Sequence, residues 1–335
     1  MLGYLRAARE PGARINPRRE KLYAPRASRR AMPFERLPWD PDTWFVDVHM
    51  FHQPEFGSVY LIDDEKTALV ETGTSHDVAA ILAALKAFDR NPAEVDALIV
   101  SHIHLDHAGG AGFLLEAMPN ATVYVHERGF KHLADPTRLL SSAKEALLDQ
   151  ADAFGTMRPI RPDRLVAVTE GMTLDLGARV LTFHDSPGHA PHELTVSDSK
   201  NQCVYTGDAA GLWFPRDSLL MPITPAPAFD LEKNLEVFRR LAAMKPRALL
   251  FSHYGPHTEP ARAVEQQTLY YSLWASFVRA RRKQASEAQM VDELFETHCK
   301  AAAFYPKKFL RERIETSVRG LVAYHQRLED AAPGR

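Results

Sequence analysis

A dense group of metal-binding side chains lies in residues 98–110, which read LIVSHIHLDHAGG. An apolar run, Ala97 to Val100, gives way to three histidines and an aspartate within six positions: His102, His104, Asp106 and His107. Neutral imidazole suits zinc and related divalent ions, and a carboxylate adds negative charge. Four ligands are more than one tetrahedral ion needs, and their spacing therefore suggests two neighbouring ions.

The local pattern predicts a strand that presents these ligands at its C-terminal end and then turns into a helix. The first two histidines are two positions apart, so near a strand end both project to one side. The aspartate and the third histidine follow the turn and can approach from another direction. The glycines at 109, 110 and 112 allow backbone to pack close to the site. The alternative is a surface histidine patch, and partner ligands elsewhere in the chain would argue against it.

Length and composition indicate an ordinary globular protein. The chain has 335 residues, of which 45% are hydrophobic and 25% charged, enough for one large domain and an appendage. A net charge of −2 gives no reason to expect a nucleic-acid partner. Cys203 and Cys299 form no CxxC pair and fit a reducing compartment. No apolar run has the length of a membrane span and no signal-type segment follows the first charges, so we expect a cytoplasmic protein without membrane association.

Changes in pattern along the chain divide it into three parts. Residues 1–40 form an Arg-rich arm, with nine arginines and one lysine against three glutamates in the first 36 positions. The arm could be extended or partly ordered, could be a transit peptide, or could clasp a partner subunit. Residues 41–258 alternate strands and helices, which is typical of α/β proteins. Residues 259–335 have helical spacing throughout and could cover the site or form the face of a homodimer.

Three later stretches repeat the arrangement of a short strand that ends in a metal-binding residue beside a glycine. His189 follows a predicted strand at 179–183, Asp208 follows one at 203–205, and His253 follows one at 248–251. Ligands at the strand ends along one edge of a sandwich would converge.

With these partners the chain resembles the metallo-β-lactamase superfamily, whose pattern is His-x-His-x-Asp-His followed by a histidine, an aspartate and a final histidine. The resemblance covers about residues 44–256 and implies an αββα sandwich with a dinuclear metal site, followed here by a C-terminal helical appendage. Carried over, it implies that His102, His104 and His189 hold one ion. Asp106, His107 and His253 would hold the other, and Asp208 would bridge the two. The ions expected are Zn²⁺, with iron or manganese as alternatives.

One position departs from the family pattern. Glu71, in the sequence Glu71-Thr72-Gly73, stands where the family usually has an aspartate that orients a ligand. Glu71 and Asp47 are therefore the two residues that we consider for orienting a metal ligand from behind.

The resemblance implies a hydrolase that uses metal-bound hydroxide on a small-molecule ester, thioester or lactone, with Asp106 as the catalytic carboxylate. The bridging Asp208 is absent from true β-lactamases, and flavodiiron proteins have glutamate at the position of His104. The glyoxalase II-like branch fits best. A phosphotriesterase, a mononuclear iron persulfide dioxygenase and a metal-binding sensor protein are the alternatives.

Side chains beyond the metal ligands are predicted from their position near the motif. Residues 212–230 are rich in proline and large apolar side chains and could form a rigid loop against a small-molecule substrate, or a packed surface loop. The substrate-contact candidates are His52, Trp213, Phe214, Phe229 and His257.

Overall fold

A computed structural model describes residues 34–147 and 151–331. The predicted arm up to residue 33 lies outside the described residues. The strands are β1 (Phe34–Leu37), β2 (Asp40–Asp47), β3 (Ser58–Asp63), β4 (Thr67–Val70), β5 (Val95–Ile99), β6 (Thr122–His126), β7 (Leu165–Val168), β8 (Thr173–Asp175), β9 (Val180–Asp185), β10 (Leu194–Asp198), β11 (Val204–Gly207), β12 (Leu212–Phe214), β13 (Leu219–Met221), β14 (Leu249–Phe251) and β15 (Gly255–His257).

The α-helices lie outside the strands and at the C-terminal end of the chain. They are α1 (Val78–Ala87), α2 (Leu105–Ala108), α3 (Ala111–Ala117), α4 (Glu127–Ala134), α5 (Thr137–Leu147), α6 (Ala151–Phe154), α7 (Leu231–Met244), α8 (Pro260–Arg281), α9 (Glu287–Leu294) and α10 (Lys307–Ala331). Within the described residues, no helix combines the length and the apolar character needed to cross a membrane.

Two mixed sheets form the framework. The first has the order β1-β2-β3-β4-β5-β6-β7, antiparallel as far as β4 and parallel from β4 to β7. The second has the order β15-β14-β11-β10-β9-β8, in which only β11 and β14 run parallel. Strand β5 lies between two parallel neighbours, which explains its almost uninterrupted apolar sequence.

Apolar side chains from both sheets fill the space between them. Phe45 and Tyr60 of the first sheet belong to the same buried cluster as Phe183, Val196 and Leu250 of the second. A second cluster covers the outer faces and extends without interruption into α8, α9 and α10. The C-terminal helices therefore share a core with the sandwich, although the sequence suggested an appendage.

The predicted α/β sandwich with C-terminal helices is confirmed. Two local predictions need correction. Phe34–Leu37 pairs with β2, so the last part of the predicted arm, 34–40, lies in the first sheet. Part of the predicted rigid loop at 212–230 is a hairpin of β12 and β13, because Leu212 and Trp213 pair across the turn with Met221 and Leu220.

A buried ion cluster ties the two sheets together at the strand ends opposite the metal-binding motif. The Arg179 guanidinium donates to Asp198 at 2.7 Å, to Asp40 at 2.9 Å and to Asp64 at 2.9 Å. Burial alone would raise the pKa of Asp40, but hydrogen bonds from Arg179, Thr43 and other donors lower it to about 2. This ionised carboxylate therefore stabilises the fold above the usual aspartate range, and its contribution is lost as the pH falls toward 2.

We expect Arg179→Met to lower the free energy of unfolding by about 3–5 kcal/mol, because it leaves buried carboxylates without their cation. Denaturant titration near pH 7 measures this change. The matched control is Arg161→Met, which removes an exposed ion pair with Asp163 and should cost less than about 1 kcal/mol. Equal losses in the two variants would show that the buried cluster does not hold the sheets together.

Candidate metal centre

The seven predicted ligands come together at one edge of the sandwich. His102 follows β5, and His104 is the N-cap of α2, the short helix that carries Asp106 and His107. The other three follow strands of the second sheet: His189 after β9, Asp208 after β11 and His253 after β14. The rigid strands behind these loops hold the ligand side chains in fixed positions.

Close packing behind α2 brings the ligand loop against the first sheet. A Cβ added to Gly110 would lie 2.2 Å from the carbonyl oxygen of Thr72, so a side chain cannot be accommodated there. Thr72 in turn donates through both its backbone N–H and its hydroxyl to the carbonyl of His107. The glycine after the ligands thus has the role expected from the sequence, namely a close approach of two backbones.

Three histidine rings form the first half of the centre. Nδ1 of His104 lies 2.9 Å from Nε2 of His102 and 3.1 Å from Nε2 of His189. Burial lowers the pKa of His102 and of His189, and with the neighbouring His189 it lowers the pKa of His104 to about 3. The three rings are therefore neutral and offer lone pairs.

The second half consists of His107, His253 and Asp106. The Nε2 atoms of the two histidines lie 3.2 Å apart, and Oδ2 of Asp106 lies 3.8 Å and 3.6 Å from them. Ligand atoms of this group lie within 4.8 Å of one another, as do those of the first group.

Asp208 stands between the two halves. Its Oδ2 lies 3.4 Å from Nε2 of His189, whereas its Oδ1 lies 3.6 Å from Nε2 of both His107 and His253. Although burial opposes its charge, His107 and then His253 hold the pKa of Asp208 well below its usual range. Oδ1 is buried and has no hydrogen-bond partner among the described residues, so a ligand is needed to satisfy it.

The outward-facing nitrogens show why a metal fits this site. Nδ1 of His189 lies 3.1 Å from the carbonyl of Ile223, and Nδ1 of His253 lies 3.0 Å from that of Phe56. A carbonyl only accepts, so each Nδ1 carries the proton and each Nε2 presents its lone pair inward. Lone pairs that converge at about 3 Å repel one another unless a proton or a metal ion lies between them. The donor set therefore fits divalent metal ions.

Glu71 orients a ligand, as its position suggested. His107 Nδ1 donates to Glu71 Oε1 at 3.2 Å, and the Ser252 hydroxyl donates to the same oxygen at 2.7 Å. Asp47 has a different role. It accepts from the backbone N–H of His49 and of Glu55, and so fixes the loop between β2 and β3.

Glu193 is the buried carboxylate that the sequence analysis missed. Its Oε2 lies 3.1 Å from Nδ1 of His102, and its Oε1 accepts from the backbone N–H of Asp208 at 3.0 Å. Burial and the charge of Asp208 raise the pKa of Glu193 well above its usual value, and metal ions at the centre would oppose that shift. A Cβ on Gly207 would lie 2.2 Å from Glu193 Oε1. The sequence signal was an acidic residue directly before an apolar strand, four positions after His189.

The centre opens into a cavity of about 310 Å³ with mainly apolar walls. His104, Asp106, His189, Asp208 and His253 lie on its lining. The aromatic side chains on the wall are Phe51 and Phe56 of the β2–β3 loop and Phe154 of α6. Further wall residues are Leu139 of α5, Pro225 and Pro227 of the loop before α7, and Arg313 of α10. The helical segment predicted to cover the site thus contributes to its wall.

None of the five predicted substrate contacts lines this cavity. Phe214 and Phe229 are fully buried, because Phe214 packs against Tyr305, just before α10, and Phe229 packs against Tyr324 of α10. The remaining three also lie outside the cavity lining. Trp213 and His257 contact each other in an edge-to-face arrangement, and His52 is exposed. The sequence prediction failed here because the C-terminal helices cover the apolar residues of the hairpin region.

Comparison with known proteins identifies the family. Residues 52–253 match the model of the metallo-beta-lactamase superfamily, and the chain belongs to this superfamily. It is similar to the metallo-beta-lactamase fold-containing protein ST1585 of Sulfurisphaera tokodaii, with 28% identity over 60% of this chain and 74% of that one. The crystal structure of ST1585 superimposes with a TM-score of 0.63, at 25% identity, over 80% of this chain and 93% of that one.

Other relatives are longer proteins. A putative diflavin flavoprotein A 2 of Synechocystis is 31% identical over 55% of this chain and 28% of its own length. A nitric oxide reductase of Moorella thermoacetica is 29% identical over 49% of this chain and 38% of its own length. The relatives thus include an oxidoreductase, and this chain matches only the smaller part of these two proteins.

We expect Glu193→Gln to weaken metal binding by about 10- to 100-fold, because it removes the carboxylate behind His102. Competition with a chromophoric chelator measures the affinity. Glu265→Gln, an identical change at an exposed position of α8, is the control and should bind metal as the unmodified protein does. Unchanged affinity in Glu193→Gln would remove Glu193 from the centre.

Proposed function

We propose that this protein is a dinuclear metal-dependent hydrolase of a small-molecule ester, thioester or lactone, of the glyoxalase II-like type. The observation that carries the proposal is the placement of Asp208, whose two oxygens face two separate groups of three ligands. His102, His104 and His189 would hold one ion, and Asp106, His107 and His253 the other. Zinc is the metal that this donor set suggests, with iron or manganese as alternatives.

Two divalent ions, when bound, would lower the pKa of a water molecule toward neutrality and polarise the carbonyl of a substrate. The protein supplies the rest of the site. Asp106 is partly exposed at the cavity, so its carboxylate can accept a hydrogen bond from the attacking water and orient it toward the substrate. Burial opposes the charge of Asp106, but His107 and His253 lower its pKa below the usual range and keep it in the base form.

The cavity wall favours an apolar acyl group beside the reacting carbonyl. Phe51, Phe56 and Phe154 lie on one part of the wall, and Phe51 packs against Phe154 at 4.6 Å between ring centres. Asp47 holds the loop that carries the first two rings through its two backbone hydrogen bonds. Burial of an acyl chain of several carbons against such a wall contributes about 0.8 kcal/mol per CH₂ group.

A redox function is the second candidate, because a relative is a nitric oxide reductase. An iron-dependent persulfide dioxygenase would use one iron per chain and consume oxygen. A phosphotriesterase would use the same centre on a P=O group, and a sensor protein would bind metal without turnover. Metal analysis together with a substrate panel distinguishes these functions.

The proposal predicts that the metal-loaded protein hydrolyses at least one of acyl-CoA and glutathione thioesters, lactones and aryl esters, at a rate that follows metal content. One iron per chain with oxygen uptake on glutathione persulfide would instead identify a dioxygenase. Turnover of phosphotriesters alone would identify a phosphotriesterase. Full metal loading without any turnover would leave the sensor function.

Asp208→Ala should lose bound metal and lower hydrolysis by about 100-fold or more, because it removes the carboxylate shared by both ligand groups. Elemental analysis and initial rates are measured on the same preparation. The control is Asp163→Asn, which changes an exposed carboxylate and should retain both properties. A fully active Asp208→Ala variant would rule out the shared-ligand centre.

A further inference from the structure

An arginine in the wall of the cavity has no hydrogen-bond partner among the described residues. Arg313 belongs to α10, on the same helical face as Phe309 and Leu310, and is 8% exposed. Among the described residues its closest acidic group is Oε2 of Glu312, at 3.6 Å, which is beyond a good hydrogen bond. Its Nη1 is buried and has no partner among the described residues.

Aromatic rings hold the guanidinium in place. Its central carbon lies 4.4 Å from the ring centre of Phe309, 5.3 Å from that of Phe51 and 5.5 Å from that of Phe56. Stacking of this kind satisfies the faces of a guanidinium and leaves its N–H edge free to donate. The group has five N–H donors, and leaving them buried without acceptors is costly.

Arg319 shows that the lack of a partner is particular to Arg313. It lies on the same helix and lines the same cavity. Its guanidinium lies 2.6 Å from Glu315 Oε1 and 3.5 Å from Glu287 Oε2, so its charge is compensated within the protein. Within the described residues Arg313 has no comparable carboxylate, and its free donors share a cavity with the predicted metal ligands Asp106 and His104.

We propose that Arg313 binds an oxyanion carried by the substrate, such as a carboxylate, at the end of an apolar segment that separates it from the bond to be hydrolysed. The substrate class is therefore an ester or thioester with an anionic acyl group, not a neutral one. A carboxylate matches the flat guanidinium edge with two parallel hydrogen bonds. The inference rests on the proposed hydrolase function, because the metal centre supplies the reacting end of the same cavity.

The test compares two esters on the metal-loaded protein, monomethyl octanedioate, which has a carboxylate at its far end, and methyl octanoate, which has none. We expect kcat/KM to favour the anionic ester by about 10- to 100-fold, the range of one charge-assisted bidentate contact. Arg313→Met should reduce this ratio to near one, mainly through KM. The control is Arg311→Met, which removes a surface arginine of α10 that pairs with Asp292 of α9. This variant should retain the preference for the anionic ester.

Direct binding separates this inference from the hydrolase proposal. Calorimetry with the monoamide of octanedioate, which has a carboxylate at one end and a neutral amide in place of the ester at the other, should show at least 10-fold weaker binding to Arg313→Met than to the Arg311→Met control, whether or not either ester is hydrolysed. Equal affinities, or an unmodified enzyme with no preference for the anionic ester, would overturn the role of Arg313 and leave the hydrolase proposal standing. Loss of turnover on both esters, with the monoamide binding as expected, would count against the hydrolase proposal alone.

Thermal unfolding of Arg313→Met tests whether Arg313 has a structural role. Replacement of a buried, unpaired charge by an apolar side chain of similar length should leave the midpoint of thermal unfolding unchanged or raise it. A marked fall would show that Arg313 supports the fold. In that case Arg313→Lys, which retains the charge but not the paired donors, should still lose most of the preference for the anionic ester if Arg313 acts as proposed.

Discussion

The repulsion between converging nitrogen lone pairs governs the architecture of this protein. The outward nitrogens of His189 and His253 donate to backbone carbonyls, and His107 donates to Glu71. Each bond fixes a ring so that its other nitrogen points at its neighbours. Nitrogens brought this close need a proton or a metal ion between them, and the sandwich must be rigid enough to impose the arrangement. The paired sheets, with their shared core and the Arg179 cluster at the opposite strand ends, provide that rigidity.

The same edge also decides where a substrate can bind. Strand ends supply the ligands. The walls of the cavity beside them come instead from a loop and from helices outside the sheets, namely the β2–β3 loop, α5, α6 and α10. The C-terminal helices therefore do more than extend the core. They bring a charged group, Arg313, into a wall that is otherwise mainly apolar. The C-terminal segment also covers Phe214 of the hairpin, which the sequence suggested as a substrate contact.

The sequence predicted the convergence of these histidines and aspartates, and the sandwich, because both depend on short-range patterns. An apolar strand followed by a histidine or an aspartate and a nearby glycine is visible within a few residues, and each of the four strand ends carries that pattern. Glu193 and Arg313 were missed because their importance depends on what folds against them. Their only local signals are a charge beside an apolar strand and a charge within an apolar helical face. Phe214 and Phe229 were misplaced for the same reason, since tertiary packing alone decides whether an apolar side chain faces a cavity or the core.

The central claim is that the seven ligands form two metal sites joined by Asp208. Anomalous X-ray diffraction from a crystal of the metal-loaded protein, collected above and below the absorption edge of the metal, tests it most directly. The account predicts two anomalous peaks, one among His102, His104 and His189 and one among Asp106, His107 and His253, with an oxygen of Asp208 at each. A single peak at full metal loading, with Asp208 bound to one ion or to none, would contradict it.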